Sequence, residues 1–333
     1  MSCYHPIPCW YYSEADPRKL FFTPPPTASG VVELTVPCRQ CIGCRLDYSR
    51  QWATRIYHES LLYSDNYFVT LTYAPEFLPI KDTINLQTGE LVTGNPLVPE
   101  HLTKFMKDLR RYWSYHFDHD NVRFYGVGEY GETTGRPHLH ICIFNLPHLD
   151  DLIPFFTNKL GQQIYLSPLI ETIWSKGQVS VGAVTWQSAA YVARYMLKKQ
   201  KGKDAQWFYD SQAITPEFVR MSRRPGIGFD WYLAHKDSLY PDDSLIVPTL
   251  KGAMLVKPPA YYDRLFDLDH PDVIEAVKVA RLQSLQRSLD TEKTLTSLNH
   301  YDTLAIAERS KQEASAVLLR KLDAKGGKCY DAF

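Results

Sequence analysis

Pro137-His138-Leu139-His140-Ile141-Cys142-Ile143-Phe144 is the stretch that decides how this chain is read. Its apolar, β-branched character predicts a strand, and a strand sends alternate side chains to the same face. His138 and His140 therefore project together, with Cys142 on their side by parity, while Leu139, Ile141 and Ile143 face the other way. Two imidazoles one strand-pitch apart can share a divalent cation. An arbitrary His-x-His pair is usually an ordinary surface feature, but these flanks are apolar enough to place the pair at the end of a core strand. The preceding segment, Gly128-Glu129-Tyr130-Gly131, reads as a glycine-punctuated loop, and antiparallel pairing can bring Glu129 beside the imidazoles. Glu132 is the second choice for that third ligand. Two neutral imidazoles and a carboxylate, with coordination positions left open, suit a Mg²⁺ or Mn²⁺ ion that also grips phosphate oxygens.

Further along, Tyr191-Val192-Ala193-Arg194-Tyr195-Met196-Leu197-Lys198-Lys199 contains neither proline nor glycine and follows two alanines, which predicts a helix from about Ser188. Residues i and i+4 share a helix face, so Tyr191 and Tyr195 are stacked neighbours. Aromatics at this spacing are commonly a core stripe, and Met196 and Leu197 fit that plainer reading. A tyrosine becomes a nucleophile only where positive charge offsets its free pKa of about 10. Lys198, Lys199 and a metal-bound phosphate would supply that charge. Together the two pairs are parts for cutting and rejoining DNA.

Working outward, Tyr67 to Tyr73 is a β-branched and aromatic run ended by Pro75, the strongest strand signal in the chain. A helix is expected from Leu46 to about Ser64, with Trp52, Ile56 and Tyr57 on one stripe, and another from Pro99 to Phe117. Residues 80–98 carry turn signals and read as a hairpin or loop insertion. Val122 to Val127 is a strand, Ser167 to Trp174 a helix and Val179 to Thr185 a strand. The order strand, helix, strand, strand, helix, strand, helix is the split βαβ arrangement, an α+β fold with an antiparallel sheet flanked by helices. Residues 1–30 show no periodicity, and the chain after Lys203 is irregular, with Arg223-Arg224-Pro225-Gly226-Ile227-Gly228 as a basic turn. Pro271 to about Leu322 reads as one or two helices, broken near Asn299-His300-Tyr301-Asp302, covering the main domain or pairing with a second subunit. Three segments result: 1–64, holding the cysteines and a helix, 65–230, the main domain, and 231–333, irregular and then helical.

With 44% hydrophobic and 22% charged residues among 333, the composition is that of a soluble globular protein. The 37 basic and 37 acidic residues cancel, which argues against a simple nucleic-acid coat, since phosphate contacts call for a basic surplus. The charge is nonetheless clustered, with Arg39, Arg45, Arg50 and Arg55 in one run and a second from Arg194 to Arg224. No secretory signal is expected from Met1-Ser2-Cys3-Tyr4-His5-Pro6, and no apolar run reaches the roughly 18 residues that span a bilayer. An odd seven cysteines point to a reducing cytosol. Within it, Cys38-x-x-Cys41-x-x-Cys44 reads as a metal knuckle, with Cys3, Cys9 or a histidine completing a tetrahedral Zn²⁺ site. Reduced, partly buried thiols are the plainer alternative, and a full iron–sulfur ligand run is absent.

Six stretches in this order carry a specific resemblance: Pro37 to Arg45, Phe68 to Tyr73, Gly128 to Glu132, Arg136-Pro137-His138-Leu139-His140, Tyr191 to Tyr195 with Lys198-Lys199, and Met221 to Gly228. The chain resembles the HUH family of rolling-circle replication initiators. More narrowly, it is similar to the replication-initiation proteins of gokushovirus-type microviruses, small phages with circular single-stranded DNA. The resemblance spans residues 37 to 228 and is thin outside them. It implies an HUH endonuclease domain over 65–230, a metal held by His138 and His140, and Tyr191 and Tyr195 as nucleophiles. It further implies a site-specific nick in origin DNA, single-stranded or supercoiled, that leaves a 5′-phosphotyrosine and a free 3′-hydroxyl for the host DNA polymerase. The work would be done in the cytoplasm of the bacterial host, without a membrane and without a nucleotide cofactor. No phosphate-binding G-x-x-x-x-G-K-[ST] loop occurs, so strand separation is expected to fall to a host helicase. The C-terminal helices are candidates for a dimer contact.

Rival chemistries fail at particular positions. Histidine-triad hydrolases need a third alternating histidine where Cys142 stands, as do H-x-H-x-D-H hydrolases, and two-histidine phosphoesterases need two H-x-[TS] motifs where only His101-Leu102-Thr103 fits. A non-catalytic single-stranded nucleic-acid-binding module with a structural zinc site is the remaining alternative, and it leaves both residue pairs unexplained.

Overall fold

The structure is a computed structural model. It describes residues 3–12, 19–25, 30–85, 87–131, 134–158, 161–194, 204–249 and 252–323, with side chains to 314 in the last helix. Two compact units emerge, one drawn from residues up to Tyr48 and from Glu275 onward, the other from Ser49–Ile274.

The first unit opens with an antiparallel hairpin, β1 (Ile7–Tyr12) and β2 (Val31–Val36), in register from Ile7 opposite Val36 to Tyr12 opposite Val31. No strand was expected before residue 30. Pro8 interrupts the alternation, and β1's partner lies across a long connection, so no local pattern marks the pairing. Helix α1 (Ile42–Ser60) follows, starting one turn earlier than expected, inside the cysteine run, and ending sooner. Of its expected stripe, Ile56 is buried and Trp52 and Tyr57 are half-buried.

In the second unit come β3 (Asn66–Leu71), the small hairpin β4 (Lys81–Ile84) and β5 (Leu91–Gly94), and α2 (Pro99–Phe117). Strands β6 (Arg123–Tyr130) and β7 (Pro137–Phe144) are followed by a second hairpin, β8 (Ile153–Thr157) and β9 (Gln163–Leu166). Then come α3 (Pro168–Trp174), β10 (Val179–Ala183), α4 (Trp186–Arg194), α5 (Ala205–Ser211) and β11 (Phe218–Met221). The region after 203, expected to be irregular, also contains α6 (Phe229–Leu239), the hairpin β12 (Leu245–Thr249) and β13 (Gly252–Val256), and α7 (Ala260–Asp269). Two helices, α8 (Pro271–Leu295) and α9 (His300–Asp323), close the described chain, and the break between them falls where Asn299 Oδ1 accepts the Asp302 N–H at 3.0 Å. No helix among the described residues is long and apolar enough to cross a membrane.

The main sheet runs β11-β6-β7-β3-β10-β9-β8, antiparallel throughout. Its middle strands, β10-β3-β7-β6, are joined as β3-α2-β6-β7-α3-β10, the split βαβ connectivity. Helices α2 and α3 cover one face. There Leu102, Phe105, Leu109 and Trp113 of α2 and Ile170 and Trp174 of α3 pack on Val69, Leu71, Leu139, Ile141 and Ile143. Strand alternation sends Phe68, Thr70, His138, His140 and Cys142 to the opposite face. Strand β6 runs through Gly128 and Glu129 to Tyr130, so this segment is not the loop that its glycines predicted. Gly128 serves close approach, since a Cβ there would meet the Phe218 ring of β11 at 2.4 Å.

The second face is roofed by α1 and α4. Trp52 of α1 stacks against Tyr125 with ring centroids 5.1 Å apart, and Tyr57 meets Trp186 of α4 at 6.0 Å. A buried ion pair between Arg123 of β6 and Glu59 of α1 ties roof to sheet. The same pair anchors the basic turn: Glu59 accepts the Gly228 N–H at 2.6 Å, Arg123 donates to the Pro225 carbonyl at 3.0 Å, and Arg55 donates to Ile227 O at 3.0 Å. Gly228 sits at φ +78°, and a Cβ on it would run into the Tyr262 hydroxyl. Beside this turn, His58 stacks on Trp231 at 3.5 Å, and its Nδ1 accepts the Tyr262 hydroxyl at 3.0 Å.

These buried groups make two aspects of stability testable. Arg123→Met leaves Glu59 charged and unpaired in the interior, and should cost about 3–5 kcal/mol in urea unfolding followed by near-UV circular dichroism; a loss below about 1 kcal/mol counts against an anchoring role. Burial, and then His235, hold His58 down to about 3 from an ordinary 6.5, so it stays neutral when folded. The unfolded chain takes up that proton first, so this stabilisation is complete above pH 6.5 and is lost as the pH falls toward 3. His58→Asn, which keeps an acceptor for Tyr262, should give a shallower decline of melting temperature over that window.

Candidate active site

Register builds the site on the roofed face. Glu129 lies directly opposite His138 across β6 and β7, and Thr70 directly opposite His140 across β3 and β7. Glu129 Oε1 is 2.7 Å from His138 Nε2 and 3.1 Å from His140 Nε2. All three side chains are buried, and their ligand atoms lie within 4.8 Å of one another. On the far side of each ring, His138 Nδ1 lies 3.2 Å from the Arg136 carbonyl and His140 Nδ1 lies 2.9 Å from the Thr70 hydroxyl.

These contacts bear on the proton positions. A carbonyl only accepts, so His138 Nδ1 carries the hydrogen, and in a neutral ring Nε2 then presents a lone pair toward the Glu129 carboxylate. Lone pair against carboxylate at this distance is repulsive unless a proton or a metal cation lies between them. Burial would raise the Glu129 carboxyl, but the hydrogen bonds from His138 and His140 and their charge outweigh it and bring it down to about 2. The carboxylate is therefore ionised and shared by two imidazoles, a set that could hold a metal ion. Glu129 is the residue that register delivers as third partner; Glu132 lies outside the described residues.

Tyr191 comes from α4, which begins at Trp186, slightly before the expected start. Reciprocal bonds open this helix: Thr185 N–H donates to Ser188 Oγ at 2.8 Å, and Ser188 N–H donates to Thr185 Oγ1 at 3.2 Å. Trp186, Ala189, Val192 and Ala193 turn inward and fix the helix rotation. The half-buried Tyr191 ring then stands edge-on to His140, centroids 5.4 Å apart, and 6.3 Å from Phe68. Tyr195, Lys198 and Lys199 lie outside the described residues. Cys142 shares the histidine face but is fully buried, directly opposite Phe68 on one side and Tyr125 on the other. Desolvation pushes its thiol up, and it is a packing residue.

A second cluster gathers in the first unit. The sulfurs of Cys3, Cys38, Cys41 and Cys44 converge to within 4.8 Å of one another, so this group too could hold a metal ion. Of the fourth partners left open by the sequence, Cys3 is the one present. Cys9 Sγ instead contacts the Leu34 carbonyl inside the hairpin. Burial raises the Cys38 thiol, but the backbone N–H groups of Cys41 and Gln40 prevail and lower it to about 7.

The comparisons with known proteins agree with this geometry. The family model of the replication-associated protein ORF2 matches residues 66–200, the stretch from β3 past α4. The replication-associated protein ORF2 of Spiroplasma virus 4 is 36% identical over 296 residues, covering 88% of this chain and 87% of its own. The chain belongs to the phage replication-associated protein family. Replication-associated protein VP4 of Bdellovibrio phage phiMH2K is 29% identical over 303 residues, covering 87% of this chain and 88% of its own. Replication-associated protein ORF4 of Chlamydia phage 1 is 32% identical over 204 residues, 60% of this chain and 46% of its own. No solved structure matches the chain.

One residue of this site escaped the sequence reading. Thr70 was seen only as part of a structural strand, yet it is the partner of His140 Nδ1. Strand parity within Phe68-Val69-Thr70-Leu71 held the signal, but it required knowing that β3 pairs with β7. In this replication-associated protein, Thr70→Val should weaken Mn²⁺ binding roughly 10- to 100-fold in isothermal titration calorimetry, as loss of a histidine's outer partner does. His140→Ala should abolish that binding.

Proposed function

We propose that this protein initiates rolling-circle replication of a circular single-stranded DNA phage genome by nicking origin DNA with a tyrosine nucleophile. The observation that carries the reading is Glu129, His138 and His140 converging on one buried point with the Tyr191 ring edge-on to His140. In this reading residues 65–230 form the HUH endonuclease domain. Glu129, His138 and His140 would hold Mg²⁺ or Mn²⁺, whose two-imidazole, one-carboxylate set leaves positions for phosphate oxygens. When bound, the ion supplies polarisation of the scissile phosphate.

The remaining chemistry belongs to the chain's own residues. The Tyr191 hydroxyl loses its proton and its oxygen bonds to phosphorus; the bond from phosphorus to the 3′-oxygen breaks, and that oxygen takes up a proton. The products are a 5′-phosphotyrosine and a free 3′-hydroxyl, which the host polymerase extends while a host helicase parts the strands. The phosphodiester energy is kept in the tyrosine link, so Tyr195, four residues on in sequence, can cut the regenerated origin and release the first strand as a circle. Lys198 and Lys199, which follow it in sequence, would stabilise the phenolate. Membership of the replication-associated family supports the reading at the level of process.

The test is cleavage of single-stranded origin DNA in Mn²⁺, with the products resolved on denaturing gels for a covalent protein–5′-DNA adduct. Wild type should form the adduct, and both His138→Ala/His140→Ala and Tyr191→Phe/Tyr195→Phe should abolish it. Metal-dependent cleavage that survives loss of both tyrosines would mean hydrolysis by water and would sink the mechanism. DNA binding without cleavage on any substrate would favour the non-catalytic single-stranded nucleic-acid-binding reading.

A further inference from the structure

The cysteine cluster plays no part in that chemistry, and its geometry calls for its own account. The Cys3 and Cys41 sulfurs are 4.0 Å apart, as are those of Cys38 and Cys44. A disulfide requires about 2.05 Å, so neither pair is one. Four thiolates at about 2.3 Å from a central Zn²⁺ occupy tetrahedron corners about 3.8 Å apart. The observed spacing is that of four sulfurs around one ion. A [4Fe–4S] cluster, with its irons and sulfides lying between the thiolates, would hold them farther apart.

The backbone around the cluster is arranged for negative sulfur. Tyr4 and Cys44 N–H groups donate to Cys41 Sγ at 3.3 and 3.4 Å, and Cys38 N–H donates to Cys3 Sγ at 3.2 Å. Gln40 and Cys41 N–H groups both donate to Cys38 Sγ, at 3.5 and 3.3 Å. Arg39 makes this doubling-back possible by taking a left-handed conformation, φ +60°. Donors aimed at sulfur favour the thiolate, which is the form that ligates metal. Helix α1 starts at Ile42, so Cys41 and Cys44 flank its amino terminus, where the helix dipole also favours negative charge.

We infer that Cys3, Cys38, Cys41 and Cys44 form a closed, structural four-thiolate zinc site. All four positions are protein sulfurs, so the ion has no place for substrate. Ligation pins residue 3 to the start of α1 and closes the loop that carries the β1–β2 hairpin. Zinc affinity thereby becomes folding free energy for the first unit, and chelation should expose that hairpin to proteases. The inference does not rest on the nicking mechanism, and its test is read without DNA.

Full-length protein purified under reducing conditions should contain one equivalent of zinc by plasma mass spectrometry. That zinc should persist in His138→Ala/His140→Ala and in Cys9→Ser, and be lost in Cys38→Ser/Cys41→Ser. Cobalt exchanged into wild type should give the intense sulfur-to-metal charge-transfer and d–d bands of a tetrahedral four-sulfur site. To separate ligation from misfolding, zinc is also released from wild type with a mercurial, and four thiols should be consumed per zinc. Substoichiometric zinc in folded wild type, iron in its place, or zinc retained by Cys38→Ser/Cys41→Ser each overturns the assignment.

Discussion

The second face of the main sheet is governed by one constraint: a strand buried on both sides carries two imidazoles, and a buried imidazole needs partners. His138 and His140 lie in β7, whose residues are all buried. Desolvating polar rings without hydrogen bonds costs several kcal/mol each, of order 2–7 on transfer scales. Glu129, Thr70 and the Arg136 carbonyl meet that demand, and each is delivered by backbone pairing and not by a flexible loop. A one-residue slip of β6 or β3 against β7 would turn Glu129 or Thr70 to the apolar face and leave the histidines stranded. The site and the sheet register therefore specify each other.

Roofing the histidine face has its own cost, because α1 brings Glu59 and β6 brings Arg123 into the same interior. The structure meets it by pairing them and by directing the remaining acceptor and donor to the Gly228 N–H and the Pro225 carbonyl. Such a pair is weak as a source of stability but specific in geometry. Here it fixes where α1 lies on the sheet and where the turn after β11 lies on α1. That explains why a basic, glycine-containing stretch far from the histidines in sequence belongs to the same construction. Its arginine-rich character reads as charge, while its glycine and backbone carbonyls do the anchoring.

What the sequence made legible was decided by whether the signal was local. β7 and α2 are found with the expected bounds because each carries its own periodicity, alternating in one case and helical in the other. The convergence of His138, His140 and Glu129 was also readable, since parity and one hairpin sufficed. Elements whose stability comes from distant partners were missed: β1 pairs with β2 across a long connection, and β11 is a short edge strand held by β6. Gly128 misled for a related reason. It looks like a turn residue, but its missing side chain makes room for Phe218, which is ninety residues on in the chain and invisible to any local window. Cys3 and Thr70 belong to the same class, as residues whose role exists only after pairing.

Donor chemistry separates the two candidate metal centres. Imidazole and carboxylate suit Mg²⁺ or Mn²⁺ with positions left open, whereas a closed set of thiolates selects a soft or borderline ion and offers nothing to a phosphate. Each set is assembled within its own unit, the first from strand register and the second from a helix start and a left-handed residue. An ion that favoured both would blur the division of labour, but Mg²⁺ has little affinity for thiolate, and zinc in a closed four-sulfur shell has no open position to offer. A chain of neutral net charge can thus gather positive charge where phosphate is handled, by holding an ion there instead of carrying an excess of lysine and arginine.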